Sequence, residues 1–167
     1  MGERVYAVHA TRPEEVGSVE VIFHVRMPAT AHVRAEVSNG DVVVRDIAGG
    51  SVMSATNGRI SGSSLRGGVA ATAVNGKLDV DMSAITDEPV RMQTTNGSIE
   101  LKLPAAANGT LDATTVNGQL HMLLPFTPIV EQDGERRRGR RLAGRINAGG
   151  TSIQLHAVNG SITVRAR

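Results

Sequence analysis

The stretch Thr114–Leu124, TTVNGQLHMLL, sets an Asn-Gly dipeptide between two runs of alternating apolar residues. In isolation this is the strongest short-range signal for a tight hairpin turn. The dipeptide recurs in the same setting, with its Asn at 39, 57, 75, 96, 117 and 159, at steps of 18, 18, 21, 21 and 42 residues. The last step is twice the one before it, and self-similarity near twenty residues marks a repeat architecture. Asn108-Gly109 is out of phase with the series and belongs to a second bend. Gly49-Gly50, Gly67-Gly68, Asp87-Glu88-Pro89 and Gly149-Gly150 fill the same place in the other repeats.

Counted from each Asn as zero, positions −6, −4 and −2 are small or aliphatic, as in Val69/Ala71/Ala73 and Ile153/Leu155/Ala157. Positions +3 and +5 follow suit, as in Leu78/Val80, Ile99/Leu101 and Ile162/Val164, while polar residues stand between. Period-two patterning with one buried face makes the chain strand throughout, and no window has a helical period. Hairpins and coils bury the same positions, so parity alone does not separate them. The alternation breaks at Ile47 and again at Leu65, at matching places in consecutive repeats. Such a break reads as a corner at which the chain bends and begins another short side.

The fold class expected is therefore all-β, a β-solenoid of about six to seven coils of 18–21 residues, ahead of a hairpin meander. Residues 1–27 supply N-terminal strands, among them Val19-Val21-Phe23-Val25. Residues 28–125 form regular coils, 126–148 an Arg-rich hairpin insertion and 149–167 the final coil. Each Asn stacks on the Asn of the next coil, so Asn39, Asn57, Asn75, Asn96, Asn117 and Asn159 form a structural ladder of side-chain hydrogen bonds. Asn tolerates the left-handed region and Gly takes positive φ at no steric cost, which suits both to a corner.

The repeated VSNGDVVV, ATNGRISG, AVNGKLDV, TTNGSIEL, TVNGQLHM and AVNGSITV follow VRMPATAHVRAEV and end on a last NGSITVR. Together they resemble a bacterial adhesin-type domain family, envelope-associated and of unknown function, and through it the head domains of auto-transporter adhesins. The resemblance runs from about Val19 to the C-terminus. It implies a right-handed β-solenoid-like fold, export to the cell envelope and a binding or scaffolding role, and it supplies no catalytic residues.

Composition narrows the chemistry. In 167 residues there is no Cys, no Trp, one Tyr and two Phe, so the core is aliphatic and thiol chemistry is excluded. The N-terminus lacks the basic-then-apolar layout of a signal peptide, and no apolar run reaches transmembrane length. An extracytoplasmic location is expected, the signal peptide not being present in this chain. The net charge of +2 is uneven: residues 131–145 hold six Arg against three acids. Arg136, Arg137, Arg138, Arg140, Arg141 and Arg145 are the candidate grip on a polyanion such as an envelope glycan or an anionic surface polymer. The plainer reading pairs these Arg with Glu131, Asp133 and Glu135. Specific nucleic-acid binding is not expected, since no basic residues interleave with aromatics.

The five His are scattered and none has zinc-site spacing; His24, His121 and His156 fall at outward positions. No nucleophile elbow, phosphate loop or dinucleotide fingerprint is present, and no cofactor or metal is expected. One catalytic alternative stands. Asp79, Asp81, Glu100 and Lys102 stack on one outer face, where carboxylates serve as acid and base toward a polysaccharide or hold calcium. Against it, Asp81 faces Lys102 across coils as an ordinary surface pair, and no aromatic accompanies the acids to stack a sugar ring. The reading is a non-enzymatic, adhesin-like binding or scaffolding module. The alternative is a subunit that assembles into a fibre with itself through open terminal coils, because the C-terminal strand NGSITVRAR has nothing after it.

Overall fold

The computed structural model describes residues 22–129 and 140–167. It is all-β, with fourteen strands and no helix among the described residues. At each repeated Asn-Gly a longer strand hands over to a shorter one. The pairs are β1 (Val33–Asn39) and β2 (Val42–Arg45), β3 (Ser51–Asn57) and β4 (Ile60–Leu65), and β5 (Val69–Asn75) and β6 (Leu78–Met82). They continue with β7 (Val90–Asn96) and β8 (Ile99–Leu103), β9 (Gly109–Asn117) and β10 (Leu120–Leu123), and β13 (Ser152–Asn159) and β14 (Ile162–Ala166). Between β10 and β13 lie β11 (Phe126–Pro128) and β12 (Arg140–Ile146).

The members of each pair enter different sheets. Sheet A runs β1-β3-β5-β7-β13-β9-β12-β11, and sheet B runs β10-β14-β8-β6-β4-β2. All pairings are parallel except those of β12 with β9 and β11, which are antiparallel. Parallel neighbours close in sequence require the chain to circle the core between them, which a meander does not do. The architecture is thus β-helix-like, with the core between the two sheets.

Why these residues form these strands follows from the inward columns. Position −2 is occupied by Ala55, Ala73, Thr94, Ala157 and Thr115, all buried. Thr94 and Thr115 survive there because their hydroxyls donate to the carbonyls of Gly76 (3.3 Å) and Gly160 (2.8 Å). Across the core, Ile60, Leu78, Ile99 and Ile162 form the +3 column at 0–1 % exposure. Each such side chain contributes about 1.5–3 kcal/mol on burial. The breaks of alternation at Ile47 and Leu65 are corners: Asp46 (φ 57°) and Ser64 (φ 55°) are left-handed, and the next side chain swings inward, Ile47 to 4 % and Leu65 to 1 % exposure.

The Asn side chains form an unbroken ladder. Asn57 donates to Asn39, Asn75 to Asn57, Asn96 to Asn75, Asn159 to Asn96 and Asn117 to Asn159, each through Nδ2 to Oδ1 at 2.8 Å. Asn itself stays extended, contrary to the expected left-handed conformation. The adjoining Gly40, Gly58, Gly97 and Gly160 take positive φ of 136–153° instead.

Two expectations are corrected. The final pair, β13 and β14, is not the end of the stack. It sits between β7–β8 on one side and β9–β10 on the other, so Asn117 stacks on Asn159 and not on Asn96. The C-terminal strand is therefore interior to its sheet, and the open edge expected there does not exist. Second, Ile22–Pro28 forms no strand, and β2 pairs only with β4 among the described residues. Val19 and Val21 lie outside the described residues.

Candidate binding surfaces

The outer face of sheet B carries the acids singled out in the sequence. They are stacked as expected, but cations reach them from both sides. Lys77 Nζ lies 2.7 Å from Glu100 and Lys102 Nζ lies 3.0 Å from Asp79. Asp81 and Lys102 are register partners, yet Lys102 turns to Asp79, and Asp81 takes Arg167 at 3.1 Å. The cause is the interposed β14, which also brings Arg165 to within 2.9 Å of Glu100. Arg165 and Arg167 act as ion-pair partners here. Among the described residues no group of three or more His, Asp or Glu side chains is arranged to hold a metal ion.

Glu100 is the electrostatic centre of this face. The hydrogen bond from Lys77, followed by that from Arg165, outweighs burial and pulls its carboxyl from 4.5 down to about 2. The folded state therefore binds fewer protons than the unfolded chain between those values. The resulting stability is complete above the unfolded pKa and is lost as pH falls through the folded one. After solvent screening, about 1–2 kcal/mol is expected to disappear between about pH 5 and pH 2. Urea midpoints measured across that range will fall less steeply in Glu100→Gln than in the parent; equal slopes would assign the acid sensitivity elsewhere.

The outer face of sheet A differs. Arg91 and Gln93 on β7 stand beside Gln154 and His156 on β13, in register as Arg91–Gln154 and Gln93–His156. Asp112 and Thr114 on β9 continue the two rows, and the short Ala70 and Thr72 on β5 flank them. The difference in side-chain length leaves a shallow depression of about 380 Å³. Among the described residues, the side chains of Arg91, Gln93, Gln154 and His156 have neither a hydrogen bond nor an ion pair. Adjacent strands hold these groups about 4.8 Å apart. The result is a planar guanidinium, two amides and an imidazole facing solvent on a rigid sheet, a set that suits carboxylates and hydroxyls.

Of the Arg residues singled out in the sequence, Arg136, Arg137 and Arg138 lie outside the described residues. Arg141 grips Asp112 through two hydrogen bonds of 3.0 and 2.9 Å. Arg140 and Arg145 are exposed on β12, and Arg141 and Arg145 stand opposite Thr114 and Thr110 in the antiparallel pairing. Arg141 and Arg145 therefore form a basic margin to the outer face of sheet A, whereas Arg140, opposite the inward Thr115, lies on the other side of the strand. His24 and His121 are exposed as expected, while His156 is half-buried beside Gln93. His32, unremarked in the sequence, accepts a hydrogen bond from the Gly50 amide through Nδ1 at 3.1 Å. The Arg91–His156 group was missed as well. Its members are 65 residues apart in sequence and meet only because β13 is interposed beside β7.

No curated protein and no solved structure matches the chain. Among the described residues no helix is long and apolar enough to cross a membrane. The Toastrack DUF4097 family profile matches residues 17–165, nearly the whole of the two-sheet stack, and the chain belongs to that family.

Proposed function

We propose that the protein is a non-catalytic, adhesin-like binding or scaffolding module that works outside the cytoplasm and contacts envelope glycans or other anionic surface polymers through the outer face of sheet A. The observation that carries this reading is the set of side chains Arg91, Gln93, Gln154 and His156, unpartnered among the described residues, over a depression, whereas the acids Asp79, Asp81 and Glu100 on the outer face of sheet B are each held by a cation. The basic margin of Arg141 and Arg145 adds attraction for a polyanion, and Arg136, Arg137 and Arg138 add to the positive charge of the same sequence segment. The same reading takes the domain as a right-handed solenoid of six to seven coils of 18–21 residues, with 126–148 as its Arg-rich hairpin insertion.

The fibre-forming alternative draws less support. Stacking through both ends needs two open terminal coils, and at one end β12 and β11 cover sheet A beyond β9.

The test is binding of the purified protein to polygalacturonate, with an uncharged glucan as control, at physiological salt. The parent protein is expected to bind the acidic polymer only. The triple variant Arg91→Ala, Gln154→Ala, His156→Ala is expected to bind at least about tenfold more weakly, a loss of about 1.4 kcal/mol, with its far-UV circular dichroism unchanged. Equal binding by parent and variant would remove the sheet A face from the reading.

A further inference from the structure

One edge of sheet B is β2, whose outer backbone groups have no strand beside them among the described residues. Such an edge is a template for another strand. The core beneath it is incompletely covered: Val33, Ala35 and Val37 of β1 are only half-buried, whereas their counterparts Ser51, Met53 and Ala55 in the next pair are 1–2 % exposed.

The segment entering this end of the stack is IFHVRMP, Ile22–Pro28. It repeats the pattern of Ser98–Pro104, SIELKLP, which contains β8. The two prolines begin the same turn: the Ala31 amide donates to the Pro28 carbonyl at 3.0 Å, and the Ala107 amide donates to the Pro104 carbonyl at 2.9 Å. Superposing the turns sets Phe23, Val25 and Met27 in the places of Ile99, Leu101 and Leu103. Ile99, Leu101 and Leu103 are 0–1 % exposed, whereas Phe23, Val25 and Met27 are 50, 54 and 38 % exposed. His24 and Arg26 then match the outward Glu100 and Lys102. The tether is already in place, because the Ala29 carbonyl accepts the Ala48 amide at 2.6 Å and so fixes the segment's end over the bend that follows β2.

We propose that the free edge of β2 is a docking site whose occupant is the chain's own Ile22–Met27, added as a further parallel strand of sheet B. The register follows from the ladder. The first inward residue of each sheet B strand pairs with its counterpart, as Val42 does with Ile60 and Leu78 with Ile99. Phe23 therefore docks beside Val42, His24 beside Val43 and Val25 beside Val44. Phe23 and Val25 then cover the half-buried end of the core. An edge that would otherwise recruit other chains is closed by this one.

The absence of Cys makes the proposal directly testable. In the double variant His24→Cys, Val43→Cys the two Cα atoms come about 4.8 Å apart, within disulfide range. Mild oxidation is expected to give an intramolecular cross-link in most molecules, seen as a shifted monomer band on a non-reducing gel and as a linked tryptic peptide. His24→Cys paired with Ser61→Cys, one strand further away, is expected to stay open. Adding Phe23→Asp and Val25→Asp to the first pair is expected to abolish the link and to speed amide exchange in β2 by tenfold or more. No link to position 43, equal linkage to positions 43 and 61, or linked dimers in place of linked monomers would each overturn the assignment.

Discussion

Gly160→Ala is expected to cost more than about 4 kcal/mol, a loss of roughly 10 °C or more in Tm for a chain of this length. The Asn-Gly corners stack so closely that a Cβ on Gly160 would run into the Gly97 carbonyl, and a Cβ on Gly118 into that of Gly160. These are backbone atoms held by two sheets, so they cannot turn aside as a flexible side chain would. A φ of 153° adds strain for any residue with a side chain. Gly40 separates the two contributions. It has a comparable φ of 136°, but its added Cβ would meet only Val37 Cγ2, at 3.5 Å. Gly40→Ala is expected to cost about 1 kcal/mol. Urea denaturation followed by far-UV circular dichroism measures both. Equal costs would show that φ, and not the stacking of the corners, governs the choice of glycine.

Ending the chain after Asn147 is expected to abolish cooperative folding altogether. That truncation removes β13 and β14, the only strands among the described residues that join β7 and β8 to β9 and β10. It also takes away Ile153, Leu155, Ala157, Ile162 and Val164, each 2 % exposed or less. Removing residues 1–50 instead takes the β1–β2 pair from one end and leaves every other strand pairing in place. The 51–167 chain is expected to unfold in one transition at a lowered Tm, and the 1–147 chain to show no transition. Thermal scans of the two chains distinguish a pair that bridges the stack from one that merely extends it. A sharp transition in the 1–147 chain would mean that β9 closes directly onto β7.

That last outcome bears on what the sequence revealed. The corners, the Asn ladder and the inward columns were all legible, because each is fixed by a local rule. Parity decides which side chains face the core, Asn and Gly punctuate, and the break at Ile47 or Leu65 marks a bend. The spatial order of the pairs was not legible. Residues −6, −4 and −2 of β9 (Leu111, Ala113, Thr115) and of β13 (Ile153, Leu155, Ala157) suit the same neighbours, so the columns do not say which pair stacks on which. The step of 42 residues keeps the period, yet the chain passes outward through β9–β12 and returns to fill the space beside β7. The charged face failed for the same reason. Asp79, Glu100 and Lys102 were placed correctly, but their partners Arg165 and Arg167 depend on where β14 lands. The Arg91–His156 face depends on β13 in the same way.

The Asn ladder also gives the molecule a sense of direction. In all five of its hydrogen bonds the donor belongs to the strand nearer β9 and the acceptor to the strand nearer β1. The amide dipoles therefore add along the stack, and each bond polarises the next. Asn39 is left presenting its NH2 at one end and Asn117 its carbonyl oxygen at the other. No interior amide can rotate alone without setting donor against donor on one side and acceptor against acceptor on the other. The four interior side chains are therefore locked in one sense by their neighbours, while Asn39 and Asn117 are each held by a single bond.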